Sequence, residues 1–89
     1  MDLDNIKALC EGGDLYASND DYANAIRCWS LAAEDKADHE GKYRLGICYY
    51  EGKGVEQDMF SAISWLNNAS LSGSFKAAKM LGGYYENLA

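Results

Sequence analysis

Proline is absent from this 89-residue sequence, histidine occurs once and phenylalanine twice. With no proline, no ring locks φ or removes a backbone donor, so nothing in the chain forbids long helices. One histidine, His39, excludes a paired-histidine metal site and leaves it on a solvent-exposed first helical turn. Basic residues are also scarce. Eight Lys and Arg against fourteen Asp and Glu give a formal net charge of −6. Such a chain is repelled by phosphate backbones and anionic lipid, so direct nucleic-acid and membrane partners are not expected and basic protein surfaces are favoured. No apolar run approaches the roughly 18 residues of a membrane span. The amino end, Met1-Asp2-Leu3-Asp4-Asn5, lacks the basic and apolar regions of a secretory signal. Three cysteines, Cys10, Cys28 and Cys48, show no CxxC spacing and are expected as reduced, buried thiols of a cytoplasmic protein.

What the chain has is 48% hydrophobic residues, 25% charged residues and nine glycines. That is ordinary material for one globular domain. The glycines need individual explanation, and three of them mark a repeat. Gly13-Asp-Leu-Tyr16, Gly46-Ile-Cys-Tyr49 and Gly82-Gly-Tyr-Tyr85 place a Tyr three residues after a Gly, the glycines being 33 and then 36 residues apart. A second block recurs after the first two copies. Ala25-Ile26, Cys28-Trp29 and Ala32-Ala33 correspond to Ala62-Ile63, Trp65-Leu66 and Ala69-Ser70, displaced by 37 residues throughout. Each block repeats its apolar residues at i, i+3, i+4 and i+7, the stripe of an amphipathic helix.

Two helix types, A and B, therefore alternate as A1-B1-A2-B2-A3. The pattern predicts helices over 4–17, 21–34, 39–51, 58–71 and 74–87. Asp21 and Asp58 are placed to cap B1 and B2, and Gly73-Ser74 reads as a helix stop followed by a cap for A3. A Gly inside a helix costs about 1 kcal/mol relative to Ala. Its recurrence at one register suggests close approach of a bulky neighbour, with Trp29 and Trp65 as candidates.

These residues resemble the tetratricopeptide-like helical repeats. Ala8, Leu9, Gly13, Tyr16, Asp21-Tyr22, Ala25-Ile26, Trp29 and Ala32 fall at that unit's spacings. The second copy is similar to the SEL-like (Sel-one-like) variant. It runs Leu45-Gly46, Tyr49, Gly52, Gly54-Val55, Asp58, Ala62, Trp65-Leu66, Ala69 and Gly73, with four additional residues in the turn between its helices. The third copy supplies only Ala77, Leu81, Gly82 and Tyr85. Gly41 and Ser70 stand where the family has Ala, and helix B of the third copy is missing.

The resemblance implies an all-α fold, a short right-handed α-solenoid of antiparallel helix pairs with five helices in about two and a half repeats. It forms one domain over 1–89, with repeat one at 4–36, repeat two at 37–73 and a terminal half repeat at 74–89. It also implies a protein–protein interaction module, an adaptor or scaffold whose A helices line a concave face. Carrying the concave positions through the aligned glycines selects Lys7, Cys10, Asp14 and Ala17 on A1, then Glu40, Tyr43, Ile47 and Tyr50 on A2. On A3 it selects Lys76, Lys79, Gly83 and Glu86.

Tyr43, Ile47 and Tyr50 share one face of A2, apart from the Leu45/Tyr49 stripe, and are read either as a groove floor for a partner helix or peptide or as a second buried face of the central helix. Lys76 and Lys79 beside them suit acidic or C-terminal carboxylate groups. The apolar character of A3, from Leu81, Tyr84, Tyr85 and Leu88, leaves room for a homodimer through the terminal helix.

No enzymatic chemistry is legible. Gly52-Lys53-Gly54 lacks the spacing of a phosphate loop, the carboxylates lack the spacing of a calcium loop, and no cofactor or metal is implied. A second class of function remains alongside the adaptor. A small acidic inhibitor or immunity-type protein would cover a basic site of a partner enzyme, in one form by nucleic-acid mimicry, and its binding would weaken sharply with salt.

Overall fold

A computed structural model describes residues 1–88. It contains five helices, α1 (Leu3–Ser18), α2 (Tyr22–Ala33), α3 (Glu40–Glu51), α4 (Met59–Leu71) and α5 (Phe75–Leu88), and no strand among the described residues. The bounds agree with the amphipathic pattern to within one residue at each described end. Each helix packs on the next, and the molecule measures 39 × 26 × 17 Å. Its least dimension fits two helix layers at the usual spacing of about 10 Å.

Local chemistry fixes the ends. Asp21 accepts from the Asn24 backbone N–H at 3.2 Å, Asp58 from Ser61 at 3.2 Å, and the Ser74 hydroxyl from Ala77 at 3.1 Å. Asp2 caps α1 through Asn5 at 2.8 Å. The exposed His39 occupies the cap position of α3 but forms no capping bond. Asp38 takes over that task, accepting from Gly41 N–H at 2.9 Å and Lys42 N–H at 3.0 Å. The loop from Gly52 to Asp58 folds back on α2. Gly54 there has φ +74° and a Cβ on it would lie 2.6 Å from Tyr22 Cβ, so both its conformation and its bareness are required. Gly52, at φ +72°, ends α3 in the left-handed conformation, so backbone geometry accounts for both glycines of this loop.

Three apolar clusters form the core. Ile6, Cys10 and Ala32 join α1 to α2, Ala25, Trp29, Leu45 and Cys48 join α2 to α3, and Leu66, Ala69, Ala77 and Leu81 join α4 to α5. The repeated glycines sit at two of the closest approaches. A Cβ on Gly13 would fall within contact distance of three ring atoms of Trp29, and one on Gly46 would lie 2.8 Å from two Leu66 side-chain atoms. The bulky neighbour of Gly46 is therefore Leu66 and not Trp65. Leu66 occupies the Trp29 register, while Trp65 is half-buried at the edge of the α2–α3 cluster. Among the described residues Gly82 has nothing within 4 Å, and no B-type helix follows α5. Gly41 is more than a tolerated departure. A Cβ there would meet Asp38 Oδ2 at 2.7 Å and the Trp29 carbonyl at 2.9 Å, so Ala does not fit.

Two of the three thiols are core residues, whereas Cys28 is half-buried. Burial pushes the Cys10 thiol up from 9.0 to about 12, reinforced by the Asp38 charge, to which its S–H donates at 3.4 Å. Burial also raises Cys48 to about 11, with Glu51 adding to the effect. A buried neutral thiol is neither a nucleophile nor a ready metal ligand. We expect a disulfide reagent at pH 8 to modify Cys28 rapidly, and to reach Cys10 and Cys48 only after denaturation. Because both folded values lie above 9.0, the stability these thiols contribute is complete below pH 9 and is lost as pH rises through about 11 and 12. A chemical-denaturation series from pH 8 to 11 checks that slope.

Candidate protein-binding groove

Side chains of α1 and α3 meet through Asp14 and Arg44, and two cavities open between these helices. The first, about 360 Å³, is lined by Asp14, Ala17 and Ser18 of α1, Arg44, Ile47 and Cys48 of α3, and Tyr22 and Trp29 of α2, with Glu51 and Lys53 at one end. The second, about 310 Å³, runs from Leu3, Ile6, Lys7, Cys10 and Glu11 to Asp38, His39 and Glu40. Asp14 borders both. Together they form a trough along α1 and α3, apolar at its base and charged along its rim.

Arg44 crosses that trough. Its Nε lies 3.2 Å from Asp14 Oδ1 and 3.2 Å from Glu40 Oε1, and its guanidinium stands 5.7 Å from the centre of the Tyr43 ring. Neither Arg44 Nε nor Asp14 Oδ1 has an in-line hydrogen-bond partner among the described residues, so the pair is held by charge. Partly exposed pairs of this kind contribute roughly 0–1 kcal/mol, so Arg44 orients the rim more than it stabilises the fold. The Lys76 ammonium stands 5.8 Å from the centre of the same Tyr43 ring and connects α5 to α3.

The expected site residues do not gather at one point. Asp14 and Ile47 line the first cavity, Asp14, Lys7 and Glu40 the second, and Cys10 forms part of the latter's wall. Tyr43 and Lys76 meet each other across α3 and α5. Lys7 is exposed and pairs with Glu11 at 3.9 Å. Lys79 and Glu86 are exposed on α5. Tyr50 is half-buried, and its backbone carbonyl accepts from Gln57 Nε2 at 2.8 Å.

The α3 stripe is neither fully open nor fully covered. Tyr43, Ile47 and Tyr50 are all half-buried, and Tyr43 packs against the Leu66–Leu81 cluster. Arg44 escaped the sequence reading. Its spacing of four from Glu40 was a helical-pair signal, but the bond to Asp14 depends on the distance between helices, which spacing along one helix does not carry.

Buried charge elsewhere is structural. Lys42 is 8% exposed, and its ammonium donates to the Asp35 carbonyl at 3.0 Å, the Lys36 carbonyl at 3.3 Å and the Ser72 hydroxyl at 3.0 Å. It thereby ties the turn between the repeats to the end of α4. Among the described residues no group of three His, Cys, Asp or Glu is placed to hold a metal, and no helix is long and apolar enough to cross a membrane.

This chain matches the Sel1 repeat family model over residues 8–36 and 39–74. It belongs to the Sel1 repeat family. The two matched segments are the α1–α2 and α3–α4 pairs, the units in which Trp29 and Leu66 close on Gly13 and Gly46. No curated protein and no solved structure matches the chain. Sel1 repeats generally mediate protein–protein interaction and are typically non-enzymatic scaffolds.

Proposed function

We propose that this Sel1 repeat protein is an adaptor that holds a segment of another protein, a helix or an extended peptide, along the trough between α1 and α3. In this reading the trough is the concave side of a short right-handed solenoid of antiparallel helix pairs, and the protein performs no catalysis. The observation that carries it is the pairing of an apolar base with a charged rim over two adjoining cavities of about 360 and 310 Å³. Such a groove takes apolar side chains at its base and hydrogen-bonding groups at its edge.

Each residue has a role in that complex. Ile47 forms the floor, and Tyr43 and Tyr50 present partly exposed rings, a residue type enriched where binding energy concentrates. Asp14 takes a basic or amide group of the partner. Lys76 and Lys79 take carboxylates at the α5 end, with Lys7 and Glu86 at the margins. A partner engaged mainly through the floor leaves slowly and tolerates salt, because apolar burial is not screened.

The test is capture from lysate of the source cell at low and moderate salt, with wild type beside Ile47→Arg. This variant is preferable to Tyr43→Ala, since Tyr43 also packs on the core. We expect a partner that survives moderate salt and is lost with Ile47→Arg. A partner that ignores Ile47→Arg and dissociates with salt would instead favour the acidic-inhibitor reading that the charge of −6 suggests.

A further inference from the structure

In both complete repeats the glycine of helix A is covered by a bulky residue of helix B, Trp29 over Gly13 and Leu66 over Gly46. At Gly82 the same surface is bare. Around it, Phe75 (89% exposed), Ala78, Gly82 and Tyr85 (49% exposed) form an apolar stripe on α5. At 100° per residue the four lie within about 80° of arc, on a side distinct from the buried Ala77 and Leu81.

From this stripe we infer that α5 pairs with α5 of a second copy of this chain, antiparallel and across a two-fold axis. The spacing is the reason. Phe75, Ala78, Gly82 and Tyr85 are separated by three, four and three residues, an order that reads the same from either end. In an antiparallel pair Phe75 of each copy faces Tyr85 of the other, and Ala78 faces Gly82. The small central pair lets the helices approach closely, and the aromatic pairs close both ends. A surface that is its own complement is what a two-fold interface requires.

Charge supports the same occupant. Lys79 and Glu86 lie on one edge of the stripe, within about 20° of each other on the helix. A two-fold antiparallel pairing brings like edges together, so the lysine of each copy meets the glutamate of the other. Side chains lean toward their own helix N-terminus, and in this arrangement those two lean toward one another. At the Tyr85 end, Met59, Phe60, Ile63, Tyr84, Tyr85 and Leu88 line an apolar cavity of about 480 Å³. The exposed Phe75 ring of the second copy fits that recess, once on each side of the axis. Ile47 and Asp14 line the α1–α3 trough and stay outside the dimer contact. One helix pair is a small interface, so the dimer is a weak one, with a dissociation constant in the micromolar range.

Sedimentation equilibrium of the 89-residue chain tests this. The expected result is a concentration-dependent monomer–dimer equilibrium that Phe75→Asp abolishes and Ile47→Arg leaves unchanged. Lys79→Glu and Glu86→Lys should each weaken the dimer about tenfold, and the two together should restore it, because the reversed charges again meet across the axis. A chain that stays monomeric to about 1 mM overturns the inference, that being the range in which even weak specific contacts populate. So does a dimer indifferent to Phe75→Asp, or one that the double charge reversal fails to restore. Binding of a peptide spanning residues 57–73 to the Gly82 face of a monomeric chain would also overturn it, and would assign that face to a B-type helix instead.

Discussion

Gly13→Ala is expected to lower the unfolding free energy by about 2–3 kcal/mol, while Gly82→Ala raises it by about 1 kcal/mol. The two substitutions are chemically identical and occupy the same register of equivalent helices. Both gain helix propensity, since Ala loses less backbone entropy than Gly. At Gly13 that gain is overwhelmed, because the new methyl falls on the indole ring of Trp29, a rigid side chain 3% exposed that would have to shift as a whole. At Gly82 no atom of the described residues lies within 4 Å and the propensity gain stands alone. Gly46→Ala falls on the Gly13 side of this comparison, since Leu66 lies 2.8 Å from the added carbon. A domain of this size has a total stability of about 5–13 kcal/mol, so the difference is large. Thermal melts of dilute protein read it directly, at about 4–8 °C per kcal/mol. Equal shifts at the two sites would mean that the glycines are not set by helix contact.

Asp38→Ala is expected to cost about 2–3 kcal/mol. The Asp38 side chain is 1% exposed and accepts three bonds, from two backbone N–H groups at the start of α3 and from the Cys10 thiol. Alanine leaves those donors buried, and an unpaired buried donor costs more than the net value of the bond it lost. Asp38→Asn keeps one carbonyl acceptor and should lose about half as much. The carboxylate also joins the first helix to the start of the third, so its removal is expected to loosen the wall of the second cavity of the trough. Urea denaturation with a folded-baseline check separates the two effects. An Asn variant as unstable as the Ala variant would show that the charge, and not the capping bond, is what matters.

How much of this was legible follows from what each feature depends on. Helix bounds, the Asp21, Asp58 and Ser74 caps and the repeat register depend on neighbours along the chain, and the sequence displays them. The partner of Gly46 was mistaken because Trp65 is the larger residue. The constant displacement of 37 aligns Trp29 with Leu66, and register decides which side chain faces the glycine.

Lys42 was unreadable in a different way. A lysine is rarely buried, and only the convergence of two carbonyls and the Ser72 hydroxyl makes it tolerable. Its register was the available hint, since Leu9 and Ala78 hold the equivalent position in the other copies. The same limit hid the cap exchange from His39 to Asp38, and the Arg44–Asp14 contact across the groove. Of the residues singled out from the sequence, Asp14, Ile47 and Lys7 line the two cavities, whereas Arg44, which spans the trough, went unseen.

The central claim is that a partner segment lies between α1 and α3, and backbone-amide chemical-shift mapping with the captured segment tests it most directly. Shifts concentrated at Asp14, Ala17, Tyr43, Arg44 and Ile47, with the outer surface of α4 undisturbed, are the predicted result. Shifts concentrated on α4 or along the Phe75–Tyr85 stripe, with Asp14 and Ile47 unmoved, would contradict it.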